Sequence, residues 1–225
     1  MVRLESHGLL DGAVELPVEI VRTSTGSVDP RCRAVIAGPG VGEGAEAWLG
    51  ERLAGVAAPV VLDADGLVAA LISHDRTVTA KWIVTPHDGE FQRLAGSNVP
   101  DDRIAAVRSL AAATGCNVLL KGPTTLLASP DGVLRAVTSG TAALATAGSG
   151  DVLAGLIGAA IARGHGVLTA GALSAHLHGR AGANLSAYDG ASSLLASVTA
   201  ILDDVRSSPS SNSKVARPTV RGERG

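Results

Sequence analysis

The chain has 225 residues, 46% of them hydrophobic but only 2% aromatic, so its core has to be built from Ala, Val, Leu and Ile. A formal net charge of −2 argues against a nucleic-acid partner. Cys32 and Cys116 stand far apart and in no CxxC pattern, which argues against a disulfide framework or zinc site and favours a reducing, cytoplasmic setting.

Met1 to Gly12 carries Arg3, Glu5, His7 and Asp11 and has no apolar core of signal-peptide length. From there, short apolar runs alternate with helical patterns. Ala34–Ala37 reads as a strand ending in the turn Gly38-Pro39-Gly40-Val41-Gly42, followed by a helix over Glu43–Val56. Pro59–Leu62 is the next strand; it stops at Asp63-Ala64-Asp65-Gly66, with a helix over Leu67–Ile72. Trp82–Val84 is closed by Thr85-Pro86-His87, and a helix starts near Gly89. An amphipathic helix over Asp101–Thr114 leads to a strand at Asn117–Lys121. Thr125–Ala128 and Val133–Val137 flank the hairpin turn Ser129-Pro130-Asp131-Gly132. Helices are expected over Asp151–Arg163, Leu168–Leu185 and Ser192–Arg206. The apolar run Val152–Ala162 is too short to span a bilayer, so no membrane partner is expected. Ser207–Gly225, rich in Ser, Pro and Arg, is expected to be a disordered tail. This alternation predicts an α/β fold, a mostly parallel central sheet with helices on both faces, in a single domain over residues 1–206.

Gly148-Ser149-Gly150-Asp151 carries the strongest chemical signal. Its glycines lead straight into a helix, whose free N–H groups and dipole suit the phosphates of a nucleotide. Asp151 in the first turn can take a proton from a hydroxyl attacking such a phosphate, or it simply stabilises the helix start. Lys121-Gly122-Pro123-Thr124-Thr125 follows a buried strand, where it suits phosphate contact or forms an ordinary solvated turn. His87 either donates to a ligand or caps the helix after it. Asp63 and Asp65 either hold a ligand hydroxyl, or magnesium through water, or form a solvated acidic turn. Gly38–Gly42 with Asp63 imitates a dinucleotide fingerprint, but the GxGxxG spacing is not met, and no GxxxxGK[ST] occurs. His74, His165, His176 and His178 have no metal-site spacing and default to structural or surface roles. Four of these motifs end strands and the fifth opens a helix, so in an open parallel sheet they converge on one crevice.

In that order GPGVG (Gly38–Gly42), LDADGL (Leu62–Leu67), TPHDGEFQRL (Thr85–Leu94), KGPTTLLASPDG (Lys121–Gly132), LATAGSGDVLAG (Leu144–Gly155) and AHLHGRAG (Ala175–Gly182) resemble the ATP- or ADP-dependent NAD(P)H-hydrate dehydratases of the ribokinase-like superfamily. The resemblance runs from Gly38 to Arg206. It implies that Lys121, Gly122, Pro123, Thr124, Thr125, Gly148, Ser149 and Gly150 bind ADP or ATP, with magnesium assisting and its ligands unidentified. It implies that Gly40, Gly42, Asp63, His87 and Asp151 meet hydrated NAD(P)H, Asp151 being the base, and that the chain acts as a homo-oligomer. Family members begin with a glycine-rich strand-turn-helix unit ahead of GPGVG; residues 1–30 show none, so the chain is expected to be truncated at its N-terminus. Asp88 replaces the family's proline after TPH, and an asparagine often found before GSGD is missing from Val137–Gly140. The competing readings are a ribokinase-like kinase of a small alcohol such as a vitamin precursor, and an inactive nucleotide-binding remnant.

Overall fold

Strand residues alternate between two cores, one on each side of a six-stranded sheet. In the computed structural model, which describes residues 2–5, 20–22, 26–42, 44–72, 79–186 and 189–207, these strands are β3 (Val35–Ala37), β4 (Val60–Leu62), β5 (Trp82–Val84), β6 (Asn117–Leu120), β7 (Thr125–Ala128) and β8 (Leu134–Val137). They lie side by side in that order, β3 to β6 parallel and β6 to β8 antiparallel. Val60, Leu62, Trp82, Val84, Val118, Leu120, Leu126 and Ala128 face one core. Val61, Ile83, Leu119 and Leu127 face the other, as the two-residue side-chain period of a strand requires.

The helices divide between these faces for a topological reason. Parallel strands laid down in sequence need crossovers, and right-handed crossovers that all step the same way leave their helices on one side. Accordingly α1 (Glu46–Leu53), α2 (Ala69–Ile72), α3 (Asp88–Ala95) and α4 (Arg103–Thr114) bury Leu53, Ala69, Phe91, Leu94, Val107 and Leu110 in the first core. The second face is covered by two helices from beyond the hairpin, α5 (Ser149–Ala162) and α6 (Val167–Gly182). Outside these, α7 (Ala191–Ser207) packs Leu194 and Val198 against Ala181.

With few aromatics to fill space, close approach depends on small residues. A Cβ on Gly158 of α5 would stand 2.7 Å from Ile36, and one on Gly171 of α6 would stand 2.8 Å from both Ile83 and Leu127. Glycine at these two contacts lets the helices settle onto the sheet at interior packing density.

Several expected boundaries move. α1 is shorter than the Glu43–Val56 pattern because Ala54 turns extended and Gly55 takes φ +71. The Leu67–Ile72 pattern splits into a 3-10 turn over Ala64–Val68 and the single turn of α2. α5 starts at Ser149 rather than Asp151, and α6 ends at Gly182 rather than Leu185. A parallel pair, β1 (Val2–Leu4) with β2 (Ile20–Arg22), was not foreseen, since Arg3 and Arg22 break the continuous apolar run that marks the buried strands. Arg52 of α1 ties this region to the body through Glu5 Oε1 at 2.9 Å and the Gly26 carbonyl at 2.9 Å. The expected tail lies outside the described residues except for Ser207, which ends α7. No described helix is long and apolar enough to cross a membrane.

Candidate functional site

The parallel ladder continues one step beyond each strand and so aligns the polar strand ends. Asp63 N–H donates to the Ala37 carbonyl at 3.2 Å, Thr85 N–H to Leu62 at 3.0 Å, and Lys121 N–H to Pro86 at 2.8 Å. In this register Asp63 sits level with Thr85, and Lys121 level with His87 on the next strand, along a carboxyl edge whose strands are about 4.8 Å apart. Glycine makes the closest of these approaches possible. Gly38 has φ +123, and a Cβ there would lie 1.8 Å from the Asp63 carbonyl; one on Gly66 would lie 2.3 Å from the Ala37 carbonyl. No side chain fits either position, so GPGVG is locked onto the Asp63–Gly66 turn. Asp65 adds a bond, its Oδ2 accepting the Gly42 N–H at 3.1 Å.

Asp63, read as either a ligand or a solvated turn, is only 2% exposed. Its Oδ1 accepts from Thr85 Oγ1 at 2.7 Å and from Lys121 Nζ at 2.9 Å. Lys121 Nζ also meets Oε2 of the buried Glu90 at 3.4 Å. One ammonium thus neutralises two carboxylates from different strand ends, an arrangement that leaves an uncompensated buried charge if any member is removed.

His87 does cap α3. Its Nδ1 accepts from Gly89 N–H at 3.0 Å and Glu90 N–H at 3.3 Å, while Glu90 Oε2 accepts the His87 N–H at 2.8 Å, a closed capping box. Because Nδ1 is an acceptor, the neutral ring carries its proton on Nε2, which lies 3.6 Å from Glu90 Oε1 in a side chain exposed at the rim. The cap and a donor toward a ligand are compatible. The exposed Asp88 forms a two-pronged pair with Arg103 of α4 at 2.9 Å on each side, and Arg103 Nη2 also donates to the Lys121 carbonyl at 3.0 Å. Arg103 lies so close over Gly122 that a Cβ there would stand 2.6 Å from Nη2. It therefore joins the TPH and KGPTT segments. Beyond it, the Pro123 carbonyl lies near Gly140, Thr124 is half-buried, and Thr125 opens β7.

At the head of α5, Gly148 has φ +82 and provides no side-chain cap. Ser149 N–H turns back to Thr146 and Val152 N–H to Gly148, and no acceptor among the described residues meets the Gly150 or Asp151 N–H. A Cβ on Gly150 would sit 3.3 Å from Asp63 Oδ2 and 3.4 Å from Lys121 Nζ, which places the helix head directly over that pair. From the other side, buried His178 of α6 donates from Nε2 to the Ser149 carbonyl at 2.9 Å, and Ser149 Oγ donates to Leu144 O at 2.6 Å. Burial pushes the His178 pKa down, opposed by that hydrogen bond and assisted by Lys121. Asp151 is exposed at the rim. Partial burial, then the charge of Asp63, push its carboxyl up from the ordinary aspartate value, with Lys121 pulling it back.

The rim thus gathers Asp63, Lys121, Gly150 and Asp151 into one cluster, with His87 joined through Glu90 and Gly42 through Asp65. Gly40 is exposed at the tip of its turn. Glu90, Thr85, Arg103 and His178 were missed. Of these, only Glu90 left a trace, at the third position after the His87 cap, where a capping box places an acid. A separate groove of about 520 Å³, lined by Leu71, Phe91, Leu94, Ser109 and Leu110, lies on the flank of α3 and α4 and shares none of the rim's polar groups.

A family described as NAD(P)H-hydrate dehydratase (Carb_kinase) matches residues 13–203. The chain belongs to that family. The match begins well before Gly38, where the motifs start, so the dehydratase likeness reaches into a stretch whose residues showed none. The bifunctional NAD(P)H-hydrate repair enzyme Nnr of Mycobacterium leprae is 37% identical over 194 residues, covering 84% of this chain and 40% of that protein. An ADP/ATP-dependent NAD(P)H-hydrate dehydratase from Bacillus subtilis, co-crystallised with ATP and Mg2+, superposes with a TM-score of 0.67 at 28% identity, over 76% of this chain and 64% of that one. A ribokinase-like superfamily protein from Enterococcus faecalis gives 0.66 at 25% identity, over 76% and 63%. The fold of this dehydratase-family chain is therefore ribokinase-like, as expected from the motifs. The chain spans less than half the length of its M. leprae relative.

Proposed function

We propose that the chain dehydrates hydrated NAD(P)H to NAD(P)H at the expense of ADP or ATP. The observation that carries the reading is the pair of amides at Gly150 and Asp151 that meet no acceptor among the described residues, set over Lys121 with a carboxylate alongside. Such amides stabilise charge on a transferring phosphoryl group. Asp151 takes the proton as the ring hydroxyl attacks the terminal phosphorus of the nucleotide, and the bond from that phosphorus to the bridging oxygen breaks, releasing AMP from ADP or ADP from ATP. The ester then loses phosphate with the C–O electron pair, and a proton leaves the neighbouring ring carbon to restore the double bond. A carboxyl raised above its ordinary value suits this task better than a fully solvated one.

Lys121 through Thr125 and Gly148 through Gly150 are the proposed nucleotide contacts. His87 Nε2 and the exposed Gly40 and Gly42 turn are assigned to the side where the hydrate enters, whereas Asp63, expected to meet the hydrate, is buried against Thr85 and Lys121 and supports the site from beneath. Among the described residues no three acidic, histidine or cysteine side chains gather to hold a metal, and Asp63 and Glu90 are both committed to Lys121. Magnesium, which neutralises phosphate charge in such transfers, is assigned no ligand from this chain, and no step runs through it. Neither Cys32 nor Cys116 forms a disulfide, in keeping with the proposed cytoplasmic setting, and the homo-oligomer remains part of this proposal by family likeness alone.

The test incubates the protein with hydrated NADPH and either nucleotide, following inorganic phosphate and the near-ultraviolet absorbance of the reduced ring together. Both signals should rise in step, and Asp151→Asn should bind nucleotide yet lose turnover by about 100-fold or more. A stable phosphorylated product without free phosphate would favour a kinase, and nucleotide binding without either signal would favour a remnant.

A further inference from the structure

We propose that the buried Asp63–Lys121 pair is a positioning unit for Asp151, acting on it across the bare Cα of Gly150. This rests on the reading of Asp151 as the base and adds what controls it. Asp63 Oδ1 is occupied by Thr85 Oγ1 and Lys121 Nζ, so its second oxygen is the one turned to the helix head, 3.3 Å from where a Gly150 Cβ would be. Lys121 Nζ stands 3.4 Å from that same point. Any side chain at residue 150 would press on both groups.

The two charges act on Asp151 with opposite sign. Asp63 disfavours a second negative charge nearby, and Lys121 favours it, so the carboxylate holds its proton as their balance dictates. Other charged groups around the helix head are accounted for. Glu90 of α3 bonds Lys121 and the His87 N–H, and exposed His87 lies on the far side of Glu90. His178 of α6 is turned to the Ser149 carbonyl, and burial lowers its pKa. On the α7 side, Ala191 lies 3.2 Å from a Cβ position on Gly148, and the preceding Asp189 is engaged by Ser186 and Ser193. Of all these, only Asp63 and Lys121 touch the Gly150 position.

The experiment is a carboxyl-carbon NMR titration of the full chain labelled in aspartate, the Asp151 signal being identified by its loss in Asp151→Asn. It reads the resting protein, so an inactive chain leaves it informative, and failure of the dehydratase reading is seen separately in turnover. In Asp63→Asn the Asp151 midpoint should move to lower pH. In Glu90→Gln, which removes the other carboxylate on Lys121 without touching Gly150, it should stay near its original place. Should Asp63→Asn not fold, Lys121→Gln makes the same test with the opposite sign, raising the midpoint. In turnover, Asp63→Asn should lower kcat by up to roughly tenfold for each unit the Asp151 midpoint falls, since a less basic carboxylate takes the hydroxyl proton less readily. The acid limb of the rate should move down with it, whereas a merely scaffolding role would lower kcat and leave the limb in place. An Asp151 midpoint that is unmoved in Asp63→Asn and Lys121→Gln, or moved equally by Glu90→Gln, overturns the proposal.

Discussion

Replacing Lys121 by Met keeps the length of the side chain and removes its charge, leaving Asp63 and Glu90 facing each other at 3% and 7% side-chain exposure. Removing one partner of a buried ion pair typically costs about 3–5 kcal/mol, because the other is left uncompensated. Lys121 is 22% exposed along its side chain, so some water reaches the pair and the lower end, about 3 kcal/mol, applies here. With a urea m-value of about 2–3 kcal/mol per molar for a chain of this size, the midpoint should fall by about 1–1.5 M. The double variant Lys121→Met/Asp63→Asn removes one of the two stranded charges and should recover about half of that loss, a coupling read from a double-mutant cycle. Urea unfolding followed by circular dichroism makes the measurement. A midpoint within about 0.2 M of the parent, or a double variant no more stable than the single one, would show that the triad is not an energetic unit and refute the reasoning.

Gly38→Ala should cost about 4 kcal/mol or more, since the added methyl would overlap the Asp63 carbonyl at 1.8 Å; equal melting temperatures for parent and variant would contradict the lock between the two turns. His87→Ala should lose about 1 kcal/mol with its cap, whereas His87→Asn should keep the cap and the stability while raising KM for the hydrate through loss of the Nε2 donor. An unchanged KM in His87→Asn would assign His87 to capping alone. Asp151 has its folded pKa raised above the ordinary 3.8, so the folded chain holds that proton more tightly and ionisation opposes folding as pH rises through the shifted range. Asp151→Asn should therefore unfold no earlier than the parent at pH 7, with any gain vanishing below the ordinary aspartate value; a loss of stability confined to neutral pH would reverse that sign.

What could be read from the sequence was whatever depends on near neighbours along the chain. Val60–Leu62, Trp82–Val84 and Asn117–Leu120 were legible because strands buried on both faces are continuous apolar runs closed by a turn. Gly148–Asp151 was legible because glycine feeding directly into a helix leaves its first amides free. Asp63 was not, since a buried carboxylate and a solvated turn have the same letters, and the deciding partner is 58 residues away. Arg103 was invisible for the same reason: its partners are Asp88 and the Lys121 carbonyl, brought together only when β5 and β6 pair. His178 looked like any helical histidine until α6 crossed the head of α5 and set its ring on the Ser149 carbonyl. Asp88, which stands in place of the family's proline, holds Arg103.

The account stands on adenine-nucleotide phosphate occupying the head of α5, and amide NMR during ADP titration of the full chain tests that directly. The Gly150 and Asp151 N–H resonances should shift most and saturate together with the loop signals of Gly122 and Thr124. Saturable binding that leaves Gly150 and Asp151 unmoved while signals elsewhere shift would place the nucleotide at another site and contradict the account.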